Sequence, residues 1–288
     1  MQVTLIGLGT MGRPMASRLA TAFDVRGWDV SADAVANCDQ GVAEISEALS
    51  GSDAVVTMLP EGQHVAEVLR THVFGTVPAG TILIDCSTIS VEVTRELAGE
   101  AEQAGLSLLD APVSGGPEGA AAGALSFMVG GAAEAYAQAL PVLEVMGSKI
   151  THFGASGAGQ AAKACHNMIC GITALGVCEA FALADGLGLD PDQFFQLCQG
   201  AAAQSWILEN RCPVPGPAPS APASNGYAPG FAARLMAKDL RLGQDAAAAC
   251  GQATPMGAEA ARRFTEFAQA GGGDFDFSAI YREIRKPG

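Results

Sequence analysis

Six residues near the start of this 288-residue chain, Gly7-Leu8-Gly9-Thr10-Met11-Gly12, restrict its fold more than any other feature. The G-x-G-x-x-G spacing alone is a weak signal. Here it lies between Gln2–Ile6, an apolar run that reads as a buried strand, and Met11–Ala22, which reads as a helix; a second strand follows at Val25–Trp28. In that setting Gly7 permits the tight turn, Gly9 lets a pyrophosphate approach the backbone, and Gly12 lets helix and strand pack closely. The unpaired N–H groups at the helix start then face the phosphates. Asp29 closes the second strand, where a carboxylate accepts bonds from ribose hydroxyls and repels a 2′-phosphate. Val30 and Ser31 follow, with no Arg or Lys to clamp a phosphate, so NAD is expected rather than NADP.

The alternation continues. Asp53–Leu59, Thr81–Cys86 and Leu106–Asp110 are short apolar runs, separated by helix-like segments at Gln63–His72, Val91–Ala104 and Glu134–Met146. Strand and helix in turn predict βαβ units and a doubly wound parallel sheet of Rossmann type. The pattern changes near Gly159. Gln160–Gly186 reads as one long helix, apolar almost all round, and therefore buried at the centre of an all-helical domain. Pro191–Gln199 and Phe231–Cys250 read as later helices. The expected division is 1–160 for dinucleotide binding and 161–288 for substrate and self-association. Arg211–Gly230 carries six prolines and three glycines, which exclude helix and central strand. It is either a disordered linker or an ordered loop packed on a surface, and the apolar sequence on both sides favours the second.

Charge narrows the partners. Lys plus Arg is 16 against 30 for Asp plus Glu, a net −14, which argues against nucleic acid and anionic membrane. Residues 1–160 hold 6 basic and 18 acidic residues, and residues 161–288 hold 10 and 12, so an anionic substrate is expected nearer the second part. Eight scattered cysteines, with no C-x-x-C and no zinc spacing, predict free thiols, no metal site and a reduced cytoplasmic compartment. The apolar uncharged stretches 119–133 and 164–178 each reach 15 residues, short of the roughly 20 a membrane span needs. Strand pattern begins at Gln2, so no signal or transit peptide is expected.

Three further motifs bear on chemistry. Asp110-Ala-Pro-Val-Ser114-Gly115-Gly116-Pro-Glu-Gly119 leaves the carboxyl end of a strand, where open parallel sheets bind ligands. A Ser-Gly-Gly turn there offers N–H groups and a hydroxyl to a carboxylate, though it also reads as a plain glycine turn. In Gly157-Ala-Gly159-Gln-Ala-Ala-Lys163-Ala-Cys-His166-Asn167, Lys163 and Asn167 are i and i+4 and share a helix face. A lysine in an otherwise apolar helix costs desolvation, which lowers its pKa toward neutrality and suits it to proton transfer. The alternative is a lysine snorkelling from the first turn. His166 reads as a satisfied core residue sooner than a catalyst. Cys165 and His166 are helix neighbours that do not face each other, so thiol catalysis has no motif. Lys238 occupies a slot in the apolar stripe Phe231, Leu235, Leu242, Ala246, which suggests either a cleft or an ion pair with a carboxylate.

Together the four motifs, in this order and at this spacing, resemble the β-hydroxyacid dehydrogenase family over essentially the whole chain: GLGTMGRPM from Gly7, DAPVSGGPEG from Asp110, GAGQAAKACHN from Gly157 and MAKDLRL from Met236. The chain is most similar to the branch that oxidises 3-hydroxyisobutyrate to methylmalonate semialdehyde in valine catabolism. That likeness rests on Trp28-Asp29-Val30, on Phe127–Gly131 and on the loop from Pro213. The resemblance implies that Gly7 to Gly12 and Asp29 hold the adenosine and pyrophosphate, and that Leu59, Pro60, His64 and Thr88 line the cofactor cleft. It implies that Ser114, Gly115 and Gly116 bind the substrate carboxylate, and that Lys163 is the acid/base. It also implies that Asn167 hydrogen-bonds the substrate, that Lys238 sits near the nicotinamide end, and that the helical domain builds a homodimer or homotetramer. The family often has two adjacent Asn where this chain has His166-Asn167. Alternatives within the family are tartronate semialdehyde, L-serine, another 3-hydroxy acid or an imine, and an imine reductase is expected to lack Lys at position 163. A dinucleotide-binding protein without catalysis is the competing class, and the Lys163/Asn167 pair argues against it.

Overall fold

The computed structural model of the chain describes residues 1–285. Those residues form two compact units, Met1–Lys163 and the part from Ala164 onward.

In the first unit the strands are β1 (Gln2–Ile6), β2 (Asp24–Trp28), β3 (Ala54–Thr57), β4 (Ile82–Asp85), β5 (Ser107–Asp110), β6 (Val113–Ser114), β7 (Leu125–Gly130) and β8 (Gly147–Gly154). The helices are α1 (Gly12–Leu19), α2 (Ala32–Ala36), α3 (Ile45–Leu49), α4 (Gly62–Val68), α5 (Val91–Gln103), α6 (Gly116–Ala122) and α7 (Ala133–Met146). They make one sheet in the order β2-β1-β3-β4-β5-β7-β6, with β8 beside β7. The first five strands are parallel, β7 runs antiparallel to β5, and β8 runs parallel to β7. Side chains of a strand alternate between faces, and here both faces are dry. Val3, Leu5, Ile82 and Ile84 pack with Met15 and Leu19 of α1 and with Val142 and Leu143 of α7. Ile6, Val55 and Leu83 pack with Val65 of α4 and Leu97 of α5. Such two-sided burial is why these strands read as unbroken apolar runs.

The Rossmann-type α/β expectation holds, with one difference: the sheet is mixed. Strand β6 has only two residues, and β7 and β8 are interrupted by Gly, Ser, Lys and His, so none shows as an apolar run.

The second unit is helical: most of α8 (Ala158–Gly186), then α9 (Pro191–Cys198), α10 (Trp206–Asn210), α11 (Ala233–Ala249), α12 (Pro255–Phe267) and α13 (Tyr281–Ile284). Its core gathers Ala174, Cys178 and Phe181 of α8 with Leu240 of α11, Phe264 of α12 and Phe277. Helix α8 is long and apolar enough to cross a membrane by length and composition. Its packed face in this core marks it as the central helix of a helical bundle. It is not buried all round, however: Cys165, Ile169, Gly176, Ala180 and Leu183 are exposed along one face. On α11 the buried stripe is Ala233, Met236, Ala237, Leu240, Gly243 and Ala247, displaced from the one the large residues suggested. Small residues make that face because they admit close packing. A Cβ on Gly171 of α8 would come within 2.8 Å of the Leu240 side chain.

The Pro-rich segment is an ordered loop. Cys212, Val214, Ala218, Ala221, Ala223 and Tyr227 are buried in the helical core, and the Tyr227 hydroxyl donates to Pro213 O at 2.7 Å. Asp276, fully buried, closes the loop. It accepts from Gly230 N at 3.2 Å, from Phe231 N and Ser278 N at 3.1 Å and from Ser278 Oγ at 2.7 Å, and Arg211 Nε lies 3.6 Å away. Removing a carboxylate that holds this many buried donors leaves them unpaired. Asp276→Ala is therefore expected to cost about 3–5 kcal/mol in chemical denaturation and to open the 211–230 loop to protease. A loss below about 1 kcal/mol would show that the loop is held by its apolar residues alone.

Candidate active site

The fingerprint folds as its spacing requires. Gly7 has φ +101°, and a Cβ there would stand 2.3 Å from Met58 O. A Cβ on Gly12 would stand 1.7 Å from Gly7 O, so only glycine allows α1 to start against the turn. Gly9 differs: nothing lies within 4 Å of its Cβ position. Its backbone opens on free space, as a site for a pyrophosphate requires. No side chain caps the α1 N-terminus at Met11; in its first turn Arg13 N donates to Gly9 O at 3.1 Å and Pro14 carries no N–H. A cleft of about 770 Å³ opens beside Leu8, Gly9 and Thr10 and runs along Arg13, Asp33 and Asn37. It does not reach Leu59, Pro60, His64 or Thr88. Asp29 is fixed by two backbone donors, Leu8 N at 2.7 Å to one oxygen and Ser31 N at 2.8 Å to the other. Each oxygen keeps a lone pair for a ribose hydroxyl. These features fit a dinucleotide with a free 2′-hydroxyl.

The strand ends carry the next layer. Thr57, Asp85 and Asp110 are register partners at the carboxyl ends of β3, β4 and β5. Asp85 Oδ1 accepts from Thr57 Oγ1 at 2.8 Å and from Ser87 N at 3.0 Å, and Ser87 Oγ accepts from Leu59 N at 2.9 Å. The loops bearing Leu59, Pro60 and Thr88 thus hang on one buried carboxylate. His64 lies on α4, beyond the first of these loops, with Nδ1 buried and unpartnered among the described residues.

Lys163 and the Ser114–Gly116 turn meet inside this first unit. Ser114 ends β6, and Gly115 and Gly116, with φ +134° and +67°, turn the chain into α6. Lys163 is 7% exposed, and its Nζ donates to Val113 O at 2.7 Å. The lysine therefore lies inward beside the Ser114–Gly116 turn and does not snorkel. The start of α8 is anchored by Asp110, which accepts from Gly157 N at 2.8 Å and from Gln160 N at 2.9 Å.

Asn167 and Lys238 belong to the helical unit. Asn167 Nδ2 donates to Asp239 Oδ2 at 2.5 Å, and its Oδ1 lies 2.9 Å from His166 Nδ1. Lys238 is buried and pairs with Asp239 Oδ1 at 3.3 Å. Lys238 thus has a carboxylate partner on its own helix. Asp239 joins Lys238 to Asn167, a role the sequence does not assign to it. The one signal for it is an acidic residue directly after a lysine in an apolar stripe.

Burial raises the Asp85 carboxyl from the ordinary 3.8 to about 6; bonds from Ser87 and Thr57 oppose this, and nearby Asp110 adds to it. Burial likewise raises Asp110, against the backbone N–H groups it accepts from. Between about pH 4 and pH 6 folded Asp85 keeps a proton that the unfolded chain has lost, so stability falls as pH rises through that window. The loss is about 2–3 kcal/mol and persists above it. The stability of Asp85→Asn relative to the parent should rise by that amount across the same window in denaturant titrations. A pH-independent difference would show that Asp85 ionises freely in the fold.

Two family models span the chain: the NAD binding domain of 6-phosphogluconate dehydrogenase over residues 2–154, and the NAD-binding region of NADP-dependent 3-hydroxyisobutyrate dehydrogenase over residues 157–284. The chain is 45% identical to the probable 3-hydroxyisobutyrate dehydrogenase of Mycobacterium tuberculosis, covering 98% of this chain and 97% of that one. It is 40% identical, at the same coverage, to the NAD-dependent L-serine dehydrogenase of Pseudomonas aeruginosa. The solved structure of the M. tuberculosis 3-hydroxyisobutyrate dehydrogenase with L-serine superposes with a TM-score of 0.91 at 44% identity, covering 99% of both chains. With the glycine fingerprint and the buried lysine in place, these likenesses make the chain a member of the β-hydroxyacid dehydrogenase family, an NAD-dependent oxidoreductase related to the 3-hydroxyisobutyrate dehydrogenases.

Proposed function

We propose that the chain oxidises 3-hydroxyisobutyrate to methylmalonate semialdehyde, a step of valine breakdown, with Lys163 as the acid/base. The observation that carries this reading is the buried Lys163 Nζ, 2.7 Å from Val113 O and next to the Ser114-Gly115-Gly116 turn. Bound NAD supplies the hydride acceptor. The Ser114 hydroxyl and the N–H groups of Gly115 and Gly116 hold the substrate carboxylate. Lys163 takes the hydroxyl proton as a neutral amine while the carbon loses hydride, so that the alcohol becomes an aldehyde. Asn167, one helical turn on, holds the substrate in a pose where proton and hydride leave along aligned paths. Lys238 sits near the nicotinamide end. Leu59, Pro60, His64 and Thr88 line the cofactor cleft, with residues 1–160 binding dinucleotide and 161–288 serving substrate and self-association.

L-Serine is the second reading, favoured by the L-serine dehydrogenase relative and by the neighbour solved with L-serine. It has the same carboxylate and primary alcohol, with an ammonium in place of the methyl. Methyl against ammonium is a choice between an apolar wall and a carboxylate, so the two should differ strongly in kcat/KM.

We also propose a homodimer or homotetramer that covers the exposed apolar face of α8 around Ile169 and Leu183. A reduced cytoplasmic setting suits the eight free cysteines.

Lys163→Ala should lose about 10²–10⁴-fold in kcat while NAD binds as before by fluorescence titration. Turnover close to the parent's would refute the acid/base role. With NAD and NADP each tested on 3-hydroxyisobutyrate, L-serine and glycerate, the alcohol that corresponds to tartronate semialdehyde, the highest kcat/KM should fall to 3-hydroxyisobutyrate with NAD. A preference for another acid would move the assignment to it. Sedimentation should give two or four copies, and a monomer at micromolar concentration would end the self-association reading.

A further inference from the structure

Gln160 stands one turn before Lys163 on α8 and is 2% exposed. None of the roles assigned above uses it, yet its side chain is fully committed. Nε2 donates to Ser87 O at 2.8 Å, and Oε1 accepts from Ile89 N at 3.2 Å. Those groups flank Thr88 in the loop after β4. The Gln160 backbone N–H donates to Asp110, and Ser87 itself binds Leu59 N and Asp85. One amide therefore ties the helix bearing Lys163 to the loop bearing Thr88 and, through Ser87, to the loop bearing Leu59 and Pro60. The tie is directional. Only a planar group with a donor at one end and an acceptor at the other meets both a carbonyl and an N–H here. An apolar side chain of equal size fills the volume and leaves both backbone groups unpaired.

We infer that Gln160 is a positioning residue for hydride transfer: it sets the reach between the Lys163 amine and the Ser87–Ile89 loop. The inference rests on the acid/base reading of Lys163 and on the cofactor-lining reading of Thr88. Reaction rates respond to such a reach because a misplacement of about 1 Å costs about 10²-fold.

Two variants test it. Gln160→Met removes both hydrogen bonds and keeps the volume. Gln160→Glu depends on protonation. As a carboxylate it accepts from Ile89 N but cannot donate to Ser87 O, whereas as a neutral acid it restores both bonds. The charged groups around position 160 are Asp110 at the end of β5, Asp85 at the end of β4 behind Ser87, Arg95 of α5 near Gly157, and Lys163 on α8 itself. Burial and the two carboxylates favour the neutral acid, and buried glutamates titrate as high as about 8–9.

The expected result for Gln160→Met is a kcat about 10–100-fold below the parent, at a ratio constant with pH and with a melting temperature within a few degrees. For Gln160→Glu, kcat relative to the parent should climb at least about fivefold from pH 9 to pH 6 as the acid takes up its proton. If both variants turn over within about threefold of the parent, if the Glu variant shows no pH-dependent recovery, or if neither folds, Gln160 is only a core residue and the inference falls. The acid/base reading fails separately, when Lys163→Ala keeps its turnover, whatever the Gln160 variants do.

Discussion

The carboxylate of Asp110, buried at the end of β5, decides where helix α8 begins. It accepts the N–H groups of Gly157 and Gln160, so an anion sits at the N-terminus of a 29-residue helix, where the macrodipole and the unpaired N–H groups both favour it. Space for it comes from two glycines. A Cβ on Gly130 would lie 2.6 Å from an Asp110 oxygen, and one on Gly159 would lie 2.3 Å from Met128 O. With the helix start pinned there, Lys163 comes to Val113 beside the Ser114–Gly116 turn one and a half turns later, and Gln160 comes to the loop after β4. An aspartate whose charged form burial disfavours is kept because the helix needs its oxygens.

The first unit therefore works as a set of strand ends wired together below the surface. Thr57, Asp85 and Asp110 lie side by side because parallel strands bring equivalent ends to one edge of the sheet, the edge where ligands bind in open sheets of this kind. The wiring is polar and buried, so each bond is strong in its low-dielectric setting and each loss is costly. The helical unit repeats the principle on a smaller scale, with Asp239 joining Lys238 to Asn167 and Asp276 closing the Pro-rich loop.

Much of the fold could be read directly because its signals are local. Strands β1, β3 and β4 are apolar runs covered on both faces, and the glycine fingerprint is a steric demand that no other residue meets at Gly7 and Gly12. Lys163 stood out as a lysine in an apolar helix, and Lys238 as one in an apolar stripe. The elements that escaped were those whose stabilising partners are distant. Strand β6 is two residues long and exists only as a partner of β7. The buried face of α11 sets Met236 and Leu240 among Ala and Gly, which carry little hydrophobic signal. The open face of α8 reads the same as its closed face, since composition records apolarity and not what covers it.

The sequence by itself determined the dinucleotide-binding turn, the α/β then all-α order and the identity of the buried lysine, because each follows from contacts within a few residues or from a glycine's missing Cβ. Tertiary structure alone decided that Lys163 turns inward to Val113, that Asp239 links Lys238 to Asn167, and that Gln160 spans to Ser87 and Ile89. Apart from the Lys238–Asp239 pair of neighbours, those bonds join residues about 50 to 73 apart in the chain. Each is set by where strand ends and helix starts meet, and no periodicity along the chain records that.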